Sequence, residues 1–241
     1  MVAALVLLLA GAVGYFLTRG SGAPAASKPV VATTGKTPSP TTAAQWLSAA
    51  MAAAKAKGAV HVEVVNKLHG RTGRYSDDDG PGVGVQRITI SPGMRAEVRV
   101  MPGVTYFVAN RAALTGYFGV SRSLADQAAG RWMVLHPGAP AYAPVTEGVT
   151  FGSMLKEMGL RGPLKLLPAR TVHGVRVVGI RGTASGPAMR HKPKTAATLW
   201  VTESGAHLPV LYTATAPKFG STTTLFSQWG MKVSVVAPTA G

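Results

Sequence analysis

Six histidines, His61, His69, His136, His173, His191 and His207, are the first residues to test for chemistry. None stands three to five positions from another, the spacing that sets two imidazoles around one zinc ion, and no carboxylate joins them in a ligand motif. They read as scattered strand and surface histidines. Asp77-Asp78-Asp79-Gly80 invites a calcium reading. Calcium loops, however, alternate ligands with spacers, and three consecutive carboxylates point in different directions. The run through Pro81-Gly82 is therefore expected to be a solvated hairpin turn. Gly80-Pro81-Gly82-Val83-Gly84 lacks the strand-to-helix context and the lysine of a phosphate cradle, and is expected to be a flexible loop.

No Gly-x-Ser-x-Gly elbow and no His-Glu-x-x-His occurs. Nine acids leave little room for a paired-carboxylate hydrolase, and the lack of cysteine removes thiol catalysis and cysteine-based zinc sites. The expectation is a protein that is not an enzyme and uses no cofactor and no metal.

What remains is suited to binding. Leu114, Phe118 and Trp132, with Phe151, Met154, Leu155 and Met158 further on, are candidates for lining an apolar cavity or its mouth, the alternative being ordinary core. Arg190-His191-Lys192-Pro193-Lys194 is the sharpest basic cluster. Arg190, Lys192 and Lys194 would grip an anionic lipid headgroup, or else form a solvated turn between strands. The formal net charge of +16 suits an anionic membrane surface, although it also serves simply to keep a domain soluble. Nucleic acid is not expected, since no basic-aromatic motif of the single-strand-binding kind is present.

The elements that would position these residues follow an apolar start. Met1 to Leu17 carries no charge, and Arg19 ends the run. That length is at the lower edge of the roughly 17–25 residues that span a bilayer. Residues 1–19 are read as an uncleaved single-pass anchor. Ala23-Pro24-Ala25 offers a weak cleavage site, so secretion is the alternative. No Lys or Arg precedes the run, which a start upstream of Met1 would explain. Residues 20–41, small and proline-punctuated, are a flexible linker, and 42–238 form one extracytoplasmic domain at the cell membrane.

Thr42-Ala43-Ala44-Gln45 reads as a capping box. It opens a helix whose stripe is Trp46, Leu47, Ala50, Met51 and Ala54. Val60, Val62 and Val64 then alternate with His61 and Glu63, and Met94, Ala96, Val98 and Val100 alternate with Arg95, Glu97 and Arg99. Each is a strand with one dry and one wet face. Pro102-Gly103 turns the chain into Val104–Val108. One helix broken at Gly119 should follow Asn110, and another Thr150. Further strands are expected over 131–135, 172–180, 197–202, 210–215, 222–226 and 231–236. The sum is a mainly β, α+β domain, with eight to eleven strands in one curved antiparallel sheet, one long N-terminal helix and two shorter ones. A sheet this large must curl. Sparse helical cover would leave a cavity lined by Val, Leu, Met, Ile and Phe.

Val104-Thr105-Tyr106-Phe107-Val108-Ala109-Asn110, then an Ala-rich helix, then Ala129-Gly130-Arg131-Trp132-Met133-Val134 resembles a block of the LolA/LppX-like extracytoplasmic lipoproteins of high-GC Gram-positive bacteria. Leu225-Phe226-Ser227-Gln228-Trp229-Gly230-Met231-Lys232-Val233 is similar to their close, and Pro209 to Tyr212 matches the strand after a Leu-Pro. The resemblance spans about 43–238 and implies a half-open β-barrel covered by helices, used to carry or sense lipids or lipoproteins. One feature departs from it. Ala12 follows Leu8-Leu9-Ala10-Gly11 where the lipid-bearing cysteine would stand, so a membrane helix would replace the lipid. The expected function is a carrier or sensor that holds acyl chains without chemistry. The alternative is a structural or regulatory ectodomain that binds another envelope protein.

Overall fold

Helix α1 (Ala43–Lys57) begins as its sequence dictates. The Thr42 hydroxyl accepts from the Gln45 N–H at 3.2 Å, and Gln45 Oε1 accepts from the Thr42 N–H at 3.1 Å. Two donors left over at the helix start are thereby satisfied. Gly58, at φ 72, ends the helix in the left-handed region that glycine enters without cost. Trp46, Ala50 and Ala54 are buried, with Leu47 and Met51 packed beside them. Thr42→Ala should cost about 1 kcal/mol, read as a lowered denaturation midpoint with unchanged slope.

The computed structural model describes residues 39–68, 70–186, 195–217 and 220–239. The expected anchor, nearly all of the linker, and the cluster Arg190, Lys192 and Lys194 lie outside the described residues. No described helix is long and apolar enough to cross a membrane.

The described strands form one antiparallel sheet of eleven. They are β1 (Val60–Leu68), β2 (Arg71–Gly80), β3 (Val83–Ile90), β4 (Met94–Met101), β5 (Val104–Ala109), β6 (Met133–Leu135), β7 (Leu160–Val172), β8 (Val175–Ala184), β9 (Ala196–Thr202), β10 (Pro209–Ala216) and β11 (Gly220–Ser227). Their order is β6-β5-β4-β3-β2-β1-β11-β10-β9-β8-β7. Two meanders therefore meet at the β1–β11 pair, where Val62 faces Phe226 and Val64 faces Thr224. The two edges, β6 and β7, do not pair with each other, so the sheet is unclosed.

Among the described residues, four short helices accompany α1. They are α2 (Arg111–Gly116), α3 (Arg122–Ala128), α4 (Tyr142–Thr146) and α5 (Phe151–Glu157). Because β6 and β7 are opposite edges, the chain between them must travel the width of the sheet, and it carries α4 and α5. Helix α4 packs on β4 and β5, α5 on β2 and α1, and α1 on β7 and β8. The main core lies on this covered face, with Val62, Val98, Leu114, Ile180 and Leu199 nearly solvent-free. On the opposite face of the β7–β10 region sits a smaller cluster of Val172, Val177, Trp200 and Val210. There the Arg170 guanidinium lies 3.6 Å above the Trp200 ring.

Several elements differ from the sequence expectation. Asp77, Asp78 and Asp79 belong to β2 and not to a turn, which is confined to Pro81-Gly82. Val83 and Gly84 likewise lie in β3 instead of a flexible loop. The stretch 172–180 is not one strand. His173 (φ 47) and Gly174 (φ 79) both adopt positive φ, which makes the tight reversal between β7 and β8. The helix after Asn110 is two, α2 and α3, separated at Gly119, whose φ is 68. Trp132 precedes β6, and 231–236 form no strand. Helix α4 and strand β7 were not anticipated. α4 has no side-chain cap, and β7 is an edge strand whose many exposed polar residues hide its alternation.

Candidate functional site

A strand with one face inward presents every second residue to the interior. On β1 these are Val60, Val62, Val64 and Asn66, all buried. The corresponding row on β2 is Arg71, Gly73, Tyr75, Asp77 and Asp79, so β2 turns two carboxyls inward. A cavity of about 80 Å³ lies beside this row. Val62, Val64 and Asn66 form its floor with Tyr212, Ala214 and Phe226 of β10 and β11, and Met154 and Glu157 of α5, with Met158 just past its end, form its roof. Asp77 stands at the edge. Next along the same face, a further void of about 20 Å³ shares Asn66 and reaches Leu68 and Arg71. Those two residues also border an open depression with Lys67 and Thr72 at the sheet's end.

Backbone geometry holds the roof in place. The segment 148–150, leading into α5, crosses β3 at Gly84. A β-carbon on Gly84 would overlap the Val149 carbonyl, so only glycine admits this approach. Thr150 then starts α5, its backbone N–H donating to Ser153 Oγ at 3.1 Å. Phe151 stacks edge-on to Trp229, which itself tilts against Phe226. The Trp229 indole donates to the Pro209 carbonyl at 2.9 Å and ties the segment after β11 to β10.

The polar side chains here are short of partners. Gln86 Nε2 donates to Asp77 Oδ2 at 3.2 Å, but Asp77 Oδ1 has no hydrogen-bond partner among the described residues. Neither carboxyl oxygen of Asp79 has one, nor has Asn66 Oδ1. Asp77 is 5% exposed, Asp79 0% and Asn66 3%. Burial holds the Asp77 carboxyl well above the usual carboxylate range, with the Asp79 charge adding to it. Burial also pushes Asp79 up to about 8, with help from Asp78. Both therefore favour the protonated form in the folded chain. Burial raises Tyr212 as well, and the neighbouring Glu157 charge contributes. Burial also raises the Tyr75 and Tyr117 phenols above their ordinary value.

On the outer face of the same strands, His61 lies between two carboxylates, 2.6 Å from Asp78 and 3.0 Å from Glu63. No group of three or more potential metal ligands is present among the described residues.

Met154 and Met158, two of the sequence candidates, stand on the cavity wall. Phe151 and Leu155 share their helix but pack into the core beside it. Leu114 is core under α2, 1% exposed, and Phe118 joins an aromatic group with Phe107 and Tyr117. Trp132 is apart from the others. Arg99, which alternates away from the core-facing Val98 and Val100, stacks on its ring at 4.7 Å. Sequence reasoning missed the strand contributions, chiefly Asn66, Asp77 and Tyr212. Buried Val62 and Val64 in register with Asn66 were a usable signal for the first of these.

An unclosed antiparallel sheet of this length, with helices across one face, is the LppX-like fold. The chain is similar to the crystal structure of LprF from Mycobacterium bovis, with a TM-score of 0.55 at 18% identity over 83% of this chain and 97% of that one. It is similar also to the lipoprotein LppX of Mycobacterium tuberculosis, with a TM-score of 0.53 at 16% identity over 80% and 98%. The resemblance read from the aromatic strand motifs thus holds at the level of fold. No family model matches the chain, and no curated protein matches it.

Proposed function

We propose that this protein binds an apolar chain of a lipid or lipoprotein between the sheet and α5, on the extracytoplasmic side of a membrane, tethered by the run Met1 to Leu17 and performing no chemistry. The observation that carries this reading is the cavity between β1, β10, β11 and the roof helix, in an unclosed sheet. Its fold partner LppX is itself a lipoprotein. Affinity would come from methylene burial, about 0.8 kcal/mol each. Lys67 and Arg71 at the open depression suit an anionic headgroup. Arg190, Lys192 and Lys194 remain further candidates for that role, as does an anionic bilayer surface for the whole basic domain.

The cavity is small against the roughly 300–1,000 Å³ of ordinary ligand pockets. A full acyl tail therefore requires α5 and the segment 148–150 to move off the sheet. The same tightness favours a second reading, in which the domain is a filled structural or regulatory module contacting another envelope protein. Native mass spectrometry of the full chain from its own membranes, with uptake of a fluorescent fatty acid, separates the two. Carriage predicts a co-purifying lipid and saturable uptake. No lipid and no uptake would sink it. Ala214→Leu, which fills the floor, should weaken uptake at least ten-fold while the domain stays folded, an overpacking cost of about 1–3 kcal/mol.

A further inference from the structure

The cavity is not uniformly greasy. Its lining includes two buried side chains with an unused hydrogen-bonding atom, Asn66 Oδ1 and Asp77 Oδ1. Buried polar groups are normally satisfied, and an unmet one costs about 1–3 kcal/mol. Two on residues that line one cavity imply something that belongs there and supplies the missing bonds.

The register fixes their separation. Asn66 pairs with Gly73, and Val62 pairs with Asp77. The two posts are thus four residues apart along β1, about 13 Å at strand rise. The rest of the lining is mostly apolar, Val64, Met158 and Phe226 among it, with Tyr212, Thr222 and Thr224 on the same wall. Such a site suits a hydrocarbon carrying an oxygen function within its length, not a plain chain. The unpartnered Asn66 oxygen can only accept, so it requires a donor from the ligand. The Glu157 charge makes the interior unwelcoming to an anion. A hydroxyl, uncharged and able both to donate and to accept, meets either post.

We propose that the cavity selects a hydroxylated hydrocarbon chain, with Asp77 and Asn66 as its internal hydrogen-bonding posts. This rests on the reading of the cavity as a chain-binding site. The preference for uncharged oxygen agrees with the burial that holds Asp77 protonated.

The test uses the full chain loaded with a fluorescent, unhydroxylated alkyl probe, displaced by methyl stearate or by methyl hydroxystearate. The hydroxylated ester should displace the probe roughly ten-fold better, the effect of one good hydrogen bond in a buried setting. Asp77→Leu and, independently, Asn66→Leu should each shrink that advantage while plain methyl stearate displaces at least as well as before. Asp77→Asn, which keeps a polar post of the same shape, should retain most of it and guards against a folding artefact. Equal displacement by both esters, or an advantage unchanged in both leucine variants, overturns the selectivity and leaves chain binding intact. Failure of the alkyl probe to bind at all removes the chain-binding reading and this inference with it.

Discussion

Asp79→Asn should raise the unfolding free energy at pH 8 by on the order of 2–4 kcal/mol and leave it almost unchanged at pH 4. The Asp79 carboxyl is fully buried with both oxygens unpartnered, and its pKa is pushed up to about 8 in the folded chain against 3.8 unfolded. The native state therefore holds this proton more tightly than the unfolded state does. Its contribution is intact below about pH 4. It is lost progressively as pH climbs to about 8, with a limiting slope of about 1.4 kcal/mol per pH unit. Above that window both states are ionised and the loss levels off. Relaxation around a buried charge trims the full product of slope and window. Asp77 shifts in the same direction, partly because of the Asp79 charge, so the substitution also eases its neighbour. Denaturant titrations of both proteins between pH 4 and pH 9 measure the effect. Parallel curves across that range would show that Asp79 is solvated after all.

Gly84→Ala should destabilise the domain by about 3 kcal/mol or more, at the upper end of overpacking effects. The added methyl would meet the Val149 carbonyl, a backbone atom that cannot swing aside like a side-chain tip. Val149 is fully buried, so displacement also exposes apolar surface. The crossing segment leads directly into α5, and the first consequence short of unfolding is a lifted roof over the cavity. Hydrogen exchange should accordingly quicken through 148–158 before it quickens in β1 or β11. A loss under about 0.5 kcal/mol, the range of ordinary surface substitutions, would show that the segment does not rest on β3.

Local patterns made much of this fold legible. The Thr42 box opens α1 as read, because caps act within four residues. The alternation through Met94–Val100 gave β4 its inward face, since an amphipathic strand declares its period. Alternation failed where polar residues face inward. Asp77 and Asp79 carry no hydrophobic signal, so a run of three aspartates imitates a turn although two of them enter the core. It failed too at β7, where Arg161, Lys165 and Arg170 decorate an edge strand with little to bury.

The cavity was least visible of all. Its wall draws on 62–66, on Asp77, on 148–158 and on 212–226, stretches that meet only because β1 pairs with β11 and the β6–β7 connection spans the hollow face. The chain's own residues determined most of its strands and the start of α1, set by neighbours a few positions apart, and its composition made it basic and cysteine-free. Which side chains share a cavity, and which of them lack partners there, was decided by pairings between residues more than a hundred positions apart, such as Val62 with Phe226. Local propensity holds no record of such contacts, because their energy exists only once the sheet has formed.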